Sequence, residues 1–183
     1  PDQQAQAYVD RVGRRLLDSF NAALAKEGRH NPYRFNFHLL KDNQVVNAFA
    51  LPGGQIFITA ALYNQLETEG QLAGVLGHEI GHVLSRHGAQ QMAKQELTQG
   101  LAGAAGVAGG DVSSARMAAM IGSMVNMKYG RKDELESDRW GIKLMVMAGY
   151  DPHAMIAVMD ILKRSAGPGR QPEIFSTHPD PGN

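Results

Sequence analysis

Two histidines four residues apart flank a glutamate in the segment His78-Glu79-Ile80-Gly81-His82. Residues four apart lie one turn apart on the same face of a helix, so both imidazoles can bind one tetrahedral zinc ion. Glu79 follows the first histidine and can reach a water molecule on such an ion, where it would act as a general base. The pattern predicts the metal site of a zinc-dependent peptidase; the alternative is a helix with two surface histidines and no metal.

The residues around this motif favour a buried helix over an exposed one. Apolar side chains surround the motif at helical spacing: Leu72, Val75, Leu76, Ile80, Val83 and Leu84. The same segment contains Gly74, Gly77 and Gly81, and a glycine costs up to about 1 kcal/mol in a helix interior. Because three such costs need a structural reason, we expect another segment of the chain to approach this helix closely.

A third protein ligand is expected on a helix that begins near Asp133. Glu134 and Asp138 are four residues apart and share a face, so one can bind the metal while the other orients a ligand histidine. Glu136 lies three residues after Asp133, where it can serve as a capping partner. Glu134 can also be a carboxylate that the helix dipole favours at an N-terminus. Spacing alone leaves Glu134 and Glu136 almost equally suited to the metal.

The sequence predicts that these residues are positioned by an α+β, mainly helical domain with a small antiparallel sheet. Helical periodicity and capping residues predict helices over about residues 3–27, 60–66, 68–87, 113–127, 133–149 and 151–165. Alternating apolar residues predict strands over about 33–40, 45–50 and 55–59. Pro52 favours an edge position for the strand that precedes it. The stretch Gly100–Gly110 is expected to be a loop, either a mobile flap or disordered.

The composition is that of one soluble globular domain over residues 1–183, with 43% hydrophobic and 20% charged residues. The net charge is zero, which argues against a nucleic-acid partner. The chain has no cysteine, which excludes a thiol nucleophile and thiolate metal ligands. The apolar stretch Leu101–Val125 contains Asp111 and Arg116, so we predict no membrane span. We expect both ends to be trimmed, without a signal peptide or a C-terminal repeat domain.

Three segments carry a resemblance to a known family. Thr68–Val83 resembles the active-site helix of gluzincin peptidases related to CAAX prenyl proteases and HtpX, and above all their soluble BepA-type branch. Asn47–Gly54 resembles the strand pair ahead of the zinc helix, and Glu134–Arg139 is similar to the family's Glu-x-x-x-Asp motif. The likeness runs from about Gln3 to Pro179. It implies a zinc metalloendopeptidase with one ion per chain and selects Glu134 as the third ligand, with Asp138 supporting a ligand.

The resemblance also implies roles for two further histidines. Thr177-His178-Pro179 matches a His-Pro segment near the family's active site. His178 would then either stabilise the oxyanion or occupy the open zinc position and hold the enzyme latent; the alternative is a loop histidine with no role. His87 is expected to be structural or to support a ligand. The remaining histidines are expected at the surface: His30, His38 and His153.

The expected substrate is a polypeptide that adds as a strand to the edge formed by Asn47, Ala48, Phe49 and Ala50. Such binding recognises the backbone, which favours broad specificity toward unfolded or misassembled proteins. The resemblance implies a periplasmic or cell-envelope location and envelope-protein partners. One alternative is a latent or non-catalytic, chaperone-like zinc module in which His178 caps the metal. Another is a helical domain without metal.

Overall fold

The computed structural model describes residues 2–102, 122–123, 125–165 and 174–179 of the chain. The elements form a mainly helical α+β architecture, which confirms the predicted fold class. They follow the chain as α1 (Gln3–Lys26), β1 (Asn36–Leu40), β2 (Ala48–Leu51), β3 (Gln55–Thr59), α2 (Ala60–Tyr63), α3 (Glu69–Leu84), α4 (His87–Ala102), α5 (Arg131–Met147), α6 (Ala154–Ser165) and α7 (Ile174–Thr177). No helix in these ranges is long and apolar enough to cross a membrane.

The three strands form a mixed sheet in the order β1-β3-β2. β2 pairs with β3 antiparallel, but β1 pairs with β3 parallel, so the expectation of an entirely antiparallel sheet is wrong in this pair. The reason is that β2 lies beyond β3 rather than between its neighbours in the chain. β2 is therefore an edge strand, as Pro52 indicated.

The opposite edge of the sheet, along β1, is closed by a side chain of α1. The carboxamide of Gln6 donates to the Phe37 carbonyl (2.9 Å) and accepts from the Leu39 amide (2.8 Å). One side chain thus makes the pair of hydrogen bonds that one residue of a neighbouring parallel strand would make. The backbone groups that β1 turns away from β3 are in this way satisfied at its centre.

The core lies between the inner face of the sheet and α1, α3, α5 and α6. Its fully buried residues come from the sheet, α1, α3 and α5 and include Val9, Leu16, Ile56, Ile58, Leu72, Leu76, Ile80, Leu144 and Met145. α3 lies at the centre and carries the metal-binding motif. Its start is fixed by the predicted capping box, in which the Thr68 hydroxyl accepts from the Gln71 amide.

α5 packs directly against α3 at two of the three glycines. A Cβ at Gly77 would lie 3.2 Å from Gly141 Cα, and one at Gly81 would lie 2.9 Å from the Ser137 carbonyl oxygen. These distances confirm the expected close approach and bring Glu134 and Asp138 next to the histidines of α3. At Gly74 a Cβ would make only ordinary contact, 3.5 Å from Met155 Sδ.

α3 ends earlier than predicted. It stops at Leu84, and α4, which was not predicted, begins at His87. Arg86 separates them with a φ of 59°, a left-handed conformation that is unfavourable for residues other than glycine. This turn directs His87 back toward the metal-binding motif. The helix predicted over 113–127 and the Gly100–Gly110 stretch lie largely outside the described residues.

Candidate metal centre

Three side chains from two helices converge on one point. The Nε2 atoms of His78 and His82 lie 3.0 Å apart. Glu134 Oε2 lies 3.2 Å from the first and Glu134 Oε1 3.2 Å from the second. The two histidines meet because they are one turn apart on α3, and Glu134 meets them because the glycines allow α5 to approach.

A fourth donor comes from the segment 174–179. His178 Nδ1 lies 3.4 Å from His78 Nε2 and 3.2 Å from Glu134 Oε1. Two backbone hydrogen bonds hold this histidine: its own amide donates to the Ile174 carbonyl, and the Tyr129 amide donates to the Thr177 carbonyl. His178 is 6% exposed, so it is a buried part of the cluster rather than a surface loop residue.

The other ring nitrogens of the two α3 histidines are also engaged. His78 Nδ1 lies 2.8 Å from Asp138 Oδ1, a contact that fixes the orientation of this ring and turns Nε2 toward the cluster. His82 Nδ1 lies 3.0 Å from His87 Nδ1, and His87 Nε2 lies 3.1 Å from Glu136 Oε2. Both rings are thus fixed in orientation by a second residue.

Glu136 therefore does not serve the helix start, contrary to the sequence expectation. α5 begins at Arg131, and the capping carboxylate is Asp133, which accepts from the Gly130 amide at 3.2 Å. The prediction was wrong because the helix begins two residues before Asp133. Glu136 lies three positions beyond this capping residue on α5 and reaches His87 instead.

Glu79 lies beside the cluster but is not one of the four residues whose donor atoms converge. Its side chain is buried, and Oε1 lies 3.6 Å from His178 Nε2. Oε2 has no hydrogen-bond partner among the described residues. Burial raises the pKa of Glu79, while the charges of His178 and His78 oppose the rise. A buried carboxylate oxygen without a partner requires a polar group next to it, and a reacting water molecule would meet that need.

The pKa of Glu134 shifts in the opposite direction to that of Glu79. Burial alone would raise the pKa of Glu134, but hydrogen bonds from His178, His78 and His82 hold it well below its ordinary value. The carboxylate is therefore ionised in the folded chain. Two neighbouring glutamates thus differ, because the pKa of Glu134 is lowered and that of Glu79 is raised.

The donor set fits a zinc ion. Tetrahedral zinc with bonds of about 2.0–2.1 Å holds its ligand atoms about 3.3–3.4 Å apart. The closest contacts among His78, His82, Glu134 and His178 are 3.0–3.4 Å, each residue offers one donor atom within 4.8 Å of the others, and two imidazoles with a carboxylate are donors that zinc prefers.

The edge strand β2 runs next to the cluster. The Thr59 amide donates to the Asn47 carbonyl (3.0 Å), so residues 47 and 49 face β3. Because hydrogen-bonded pairs alternate along an antiparallel ladder, Ala48 and Ala50 direct their backbone groups outward. The Ala48 carbonyl oxygen lies 3.3 Å from His178 Nε2. The outward edge of β2 is therefore the side that faces Glu79 and the histidines.

Sequence reasoning missed one aromatic residue of the site. The Tyr129 ring stacks on His82 with centroids 4.0 Å apart and is buried. No spacing rule identifies it, because Tyr129 precedes α5 and belongs to no motif.

A small cavity of about 50 Å³ also adjoins His78 and Glu79, with apolar walls from α6 and α7.

Comparison with known proteins gives an independent line of evidence. The profile of peptidase family M48 matches residues 3–183. The chain is 34% identical over 184 residues to a beta-barrel assembly-enhancing protease of Escherichia coli, which covers 95% of the chain and 36% of that relative. It is 30% identical over 173 residues to the mitochondrial metalloendopeptidase OMA1 of Schizosaccharomyces pombe, covering 94% and 48%. The chain thus spans between about a third and a half of the length of these relatives.

Proposed function

Because the chain belongs to peptidase family M48, we propose that it is a zinc-dependent endopeptidase that hydrolyses peptide bonds of unfolded or misassembled proteins. The observation that carries the proposal is the convergence of two imidazoles and a carboxylate, 3.0–3.2 Å apart, beside the buried carboxylate of Glu79. The names of the relatives, a protease and a metalloendopeptidase, support the same activity.

In this proposal His78, His82 and Glu134 hold one zinc ion. When bound, zinc would polarise the scissile carbonyl and lower the pKa of a water molecule. Glu79 takes the proton from the attacking water and returns it to the leaving amine. The raised pKa of Glu79 supports this role, because a base works best when its pKa is near the working pH.

We assign a positioning role to Asp138 and His87. Each contacts the ring nitrogen of a ligand histidine that faces away from the cluster, at 2.8 Å and 3.0 Å respectively. Such contacts fix the tautomer and the orientation of a ligand ring. His178 would stabilise the oxyanion if it turned its ring toward the scissile carbonyl.

The substrate is proposed to pair with β2 as an added strand along Asn47, Ala48, Phe49 and Ala50. The outward backbone groups of Ala48 and Ala50 supply the hydrogen bonds, and this edge runs beside Glu79. The closure of the other sheet edge by Gln6 supports β2 as the acceptor. Binding through the backbone favours breadth, since every unfolded segment offers the same groups.

We further propose that residues 1–183 act as one catalytic domain in the periplasm or cell envelope, with envelope proteins as partners. The bacterial relatives, whose name refers to beta-barrel assembly, support this location.

A second candidate is a latent or non-catalytic zinc-binding module with a chaperone-like role. The observation that favours it is the position of His178, whose Nδ1 lies within 3.4 Å of two proposed ligand atoms and whose Nε2 meets the Ala48 carbonyl. In this arrangement one ring occupies both the fourth ligand position and part of the substrate edge.

Cleavage of casein by wild type, Glu79→Gln and His178→Ala at matched zinc content tests both candidates. Glu27→Gln, at an exposed site on the far end of α1, serves as the matched control and should equal wild type. Cleavage by wild type that Glu79→Gln abolishes is the result expected of a working peptidase. Cleavage by His178→Ala alone indicates latency, and zinc binding without cleavage by any variant favours the non-catalytic module.

A further inference from the structure

Three aromatic rings lie in a row across the outer face of the sheet, one on each strand. His38 of β1 stacks on Phe57 of β3 with centroids 4.8 Å apart, and Phe57 stacks on Phe49 of β2 with centroids 4.9 Å apart. The interplanar angles are 24° and 13°. The row follows the register, because both His38 and Phe49 are paired with Phe57.

The two ends of the row differ. At β1 the neighbouring backbone is closed by Gln6, and His38 Nε2 lies 2.7 Å from Gln55 Oε1, so that end has its polar partner. Among the described residues, the row ends at β2 with the half-buried ring of Phe49, on the edge strand of the sheet. The row is therefore continuous with the surface on which the proposed substrate strand would lie.

Strand geometry brings the next side chain on this face close to Phe49. Ala48 and Ala50 point their backbone groups outward, so they would make the hydrogen bonds to an antiparallel substrate strand. The substrate residue opposite Phe49 would then form a non-hydrogen-bonded pair. In such pairs the Cα atoms are only about 4.5 Å apart and the side chains are closest.

We propose that this row is completed by an aromatic side chain of the substrate, and that Phe49 is a specificity-determining residue for it. The inference rests on the proposed function and refines it: the backbone binds any extended segment, while Phe49 selects the register in which that segment lies. Stacking on an aromatic ring stabilises an aromatic neighbour more than an aliphatic one. The scissile bond should therefore fall at a fixed distance from an aromatic residue of the substrate.

Binding is tested with the double variant Glu79→Gln and His178→Ala, which prevents turnover and frees the Ala48 carbonyl. The probes are two fluorescent alanine- and serine-rich peptides of about twelve residues that differ only in one central Phe or Leu. We expect the Phe peptide to bind roughly twofold to tenfold more tightly. Adding Phe49→Ala, or Phe49→Leu if the alanine variant is unstable, should bring the ratio of the two affinities close to one. His38→Ala is the matched control at the far end of the row and should preserve the ratio.

Cleavage provides a second readout with the active enzyme. When the Phe is moved through the peptide, mass spectrometry should find the cleaved bond moving with it in wild type and scattered in Phe49→Ala. Equal affinities for both peptides, or a Phe preference that survives in Phe49→Ala or disappears in His38→Ala, would overturn the inference while leaving the proposed function intact. Failure to bind either peptide would remove strand addition from the proposed function, and the inference with it.

Discussion

Replacing Gly81 with alanine should separate the two helices that carry the metal-binding residues. The new Cβ would lie 2.9 Å from the Ser137 carbonyl oxygen and 3.0 Å from Ser137 Cα, both backbone atoms that cannot rotate away. Ordinary contacts begin at 3.4 Å, so α5 must move by roughly half an ångström. Glu134 lies one turn before Ser137 on the same helix and would move with it.

Two opposing energies set the expected size of the effect. Alanine gains about 1 kcal/mol over glycine in a helix interior, and overpacking a tight contact costs about 1–3 kcal/mol. The net loss is about 1 kcal/mol, which lowers the melting temperature by about 2–4 °C in a chain of this size. The larger effect should be on metal binding. The Glu134 oxygens now lie 3.2 Å from the Nε2 atoms of His78 and His82, and the shift of α5 would lengthen these distances beyond the spacing of ligand atoms in tetrahedral zinc. We expect zinc affinity to fall by about tenfold.

The same helix supplies the control. Gly74→Ala meets only Met155 Sδ at 3.5 Å, so it should gain most of the helix propensity and raise the melting temperature by about 2–4 °C. Thermal unfolding without metal and competition with a fluorescent chelator measure the two quantities. If Gly81→Ala is as stable as Gly74→Ala and retains zinc equally well, the close approach of α5 does not determine the geometry of the site, and the reasoning is refuted.

Further predictions concern the ligands and the turn after α3. Glu134→Gln should abolish stoichiometric zinc in protein purified without chelator, whereas Glu136→Gln should retain it; equal zinc content in the two variants would contradict the ligand assignment. Removing zinc that was present at a hundred times its Kd should cost about 2.7 kcal/mol and lower the melting temperature by about 5–11 °C. A chelator without effect on the melting curve would argue against any bound metal. Arg86→Gly should leave the melting temperature within about 2 °C of wild type, while Arg86→Val should lower it by about 2–6 °C, because a β-branched residue is strained at this positive φ. Similar curves for both Arg86 variants would exclude that strain.

The sequence predicts the metal-binding helix well because local rules decide it. The spacing of His78 and His82 and the capping box at Thr68 are properties of one segment and are found as expected. Of the three glycines, Gly77 and Gly81 lie at the expected close approach, whereas Gly74 does not. The approach of a second helix also follows, since the glycines are costly unless something packs on them.

Contacts between distant segments were less predictable. Spacing could not choose between Glu134 and Glu136, because that choice depends on where α5 begins relative to α3. The parallel pairing of β1 with β3 depends on the order of strands in space, which alternation does not encode. The break of the helix at Arg86 was missed because arginine, unlike glycine, does not indicate a positive φ.

The two hydrogen bonds of Gln6 to β1 would limit how many chains can join through this sheet in the proposed binding mode. A sheet with two open edges can pair with another copy on either side, so the assembly can continue to grow. Closing the β1 edge with the two contacts of Gln6 would leave β2 as the one open edge in the described part of this sheet, so that in the proposed binding mode the domain accepts a single added strand. For a protein proposed to receive aggregation-prone segments along β2, that asymmetry allows an extended chain to dock without the domain itself becoming the seed of a growing fibril.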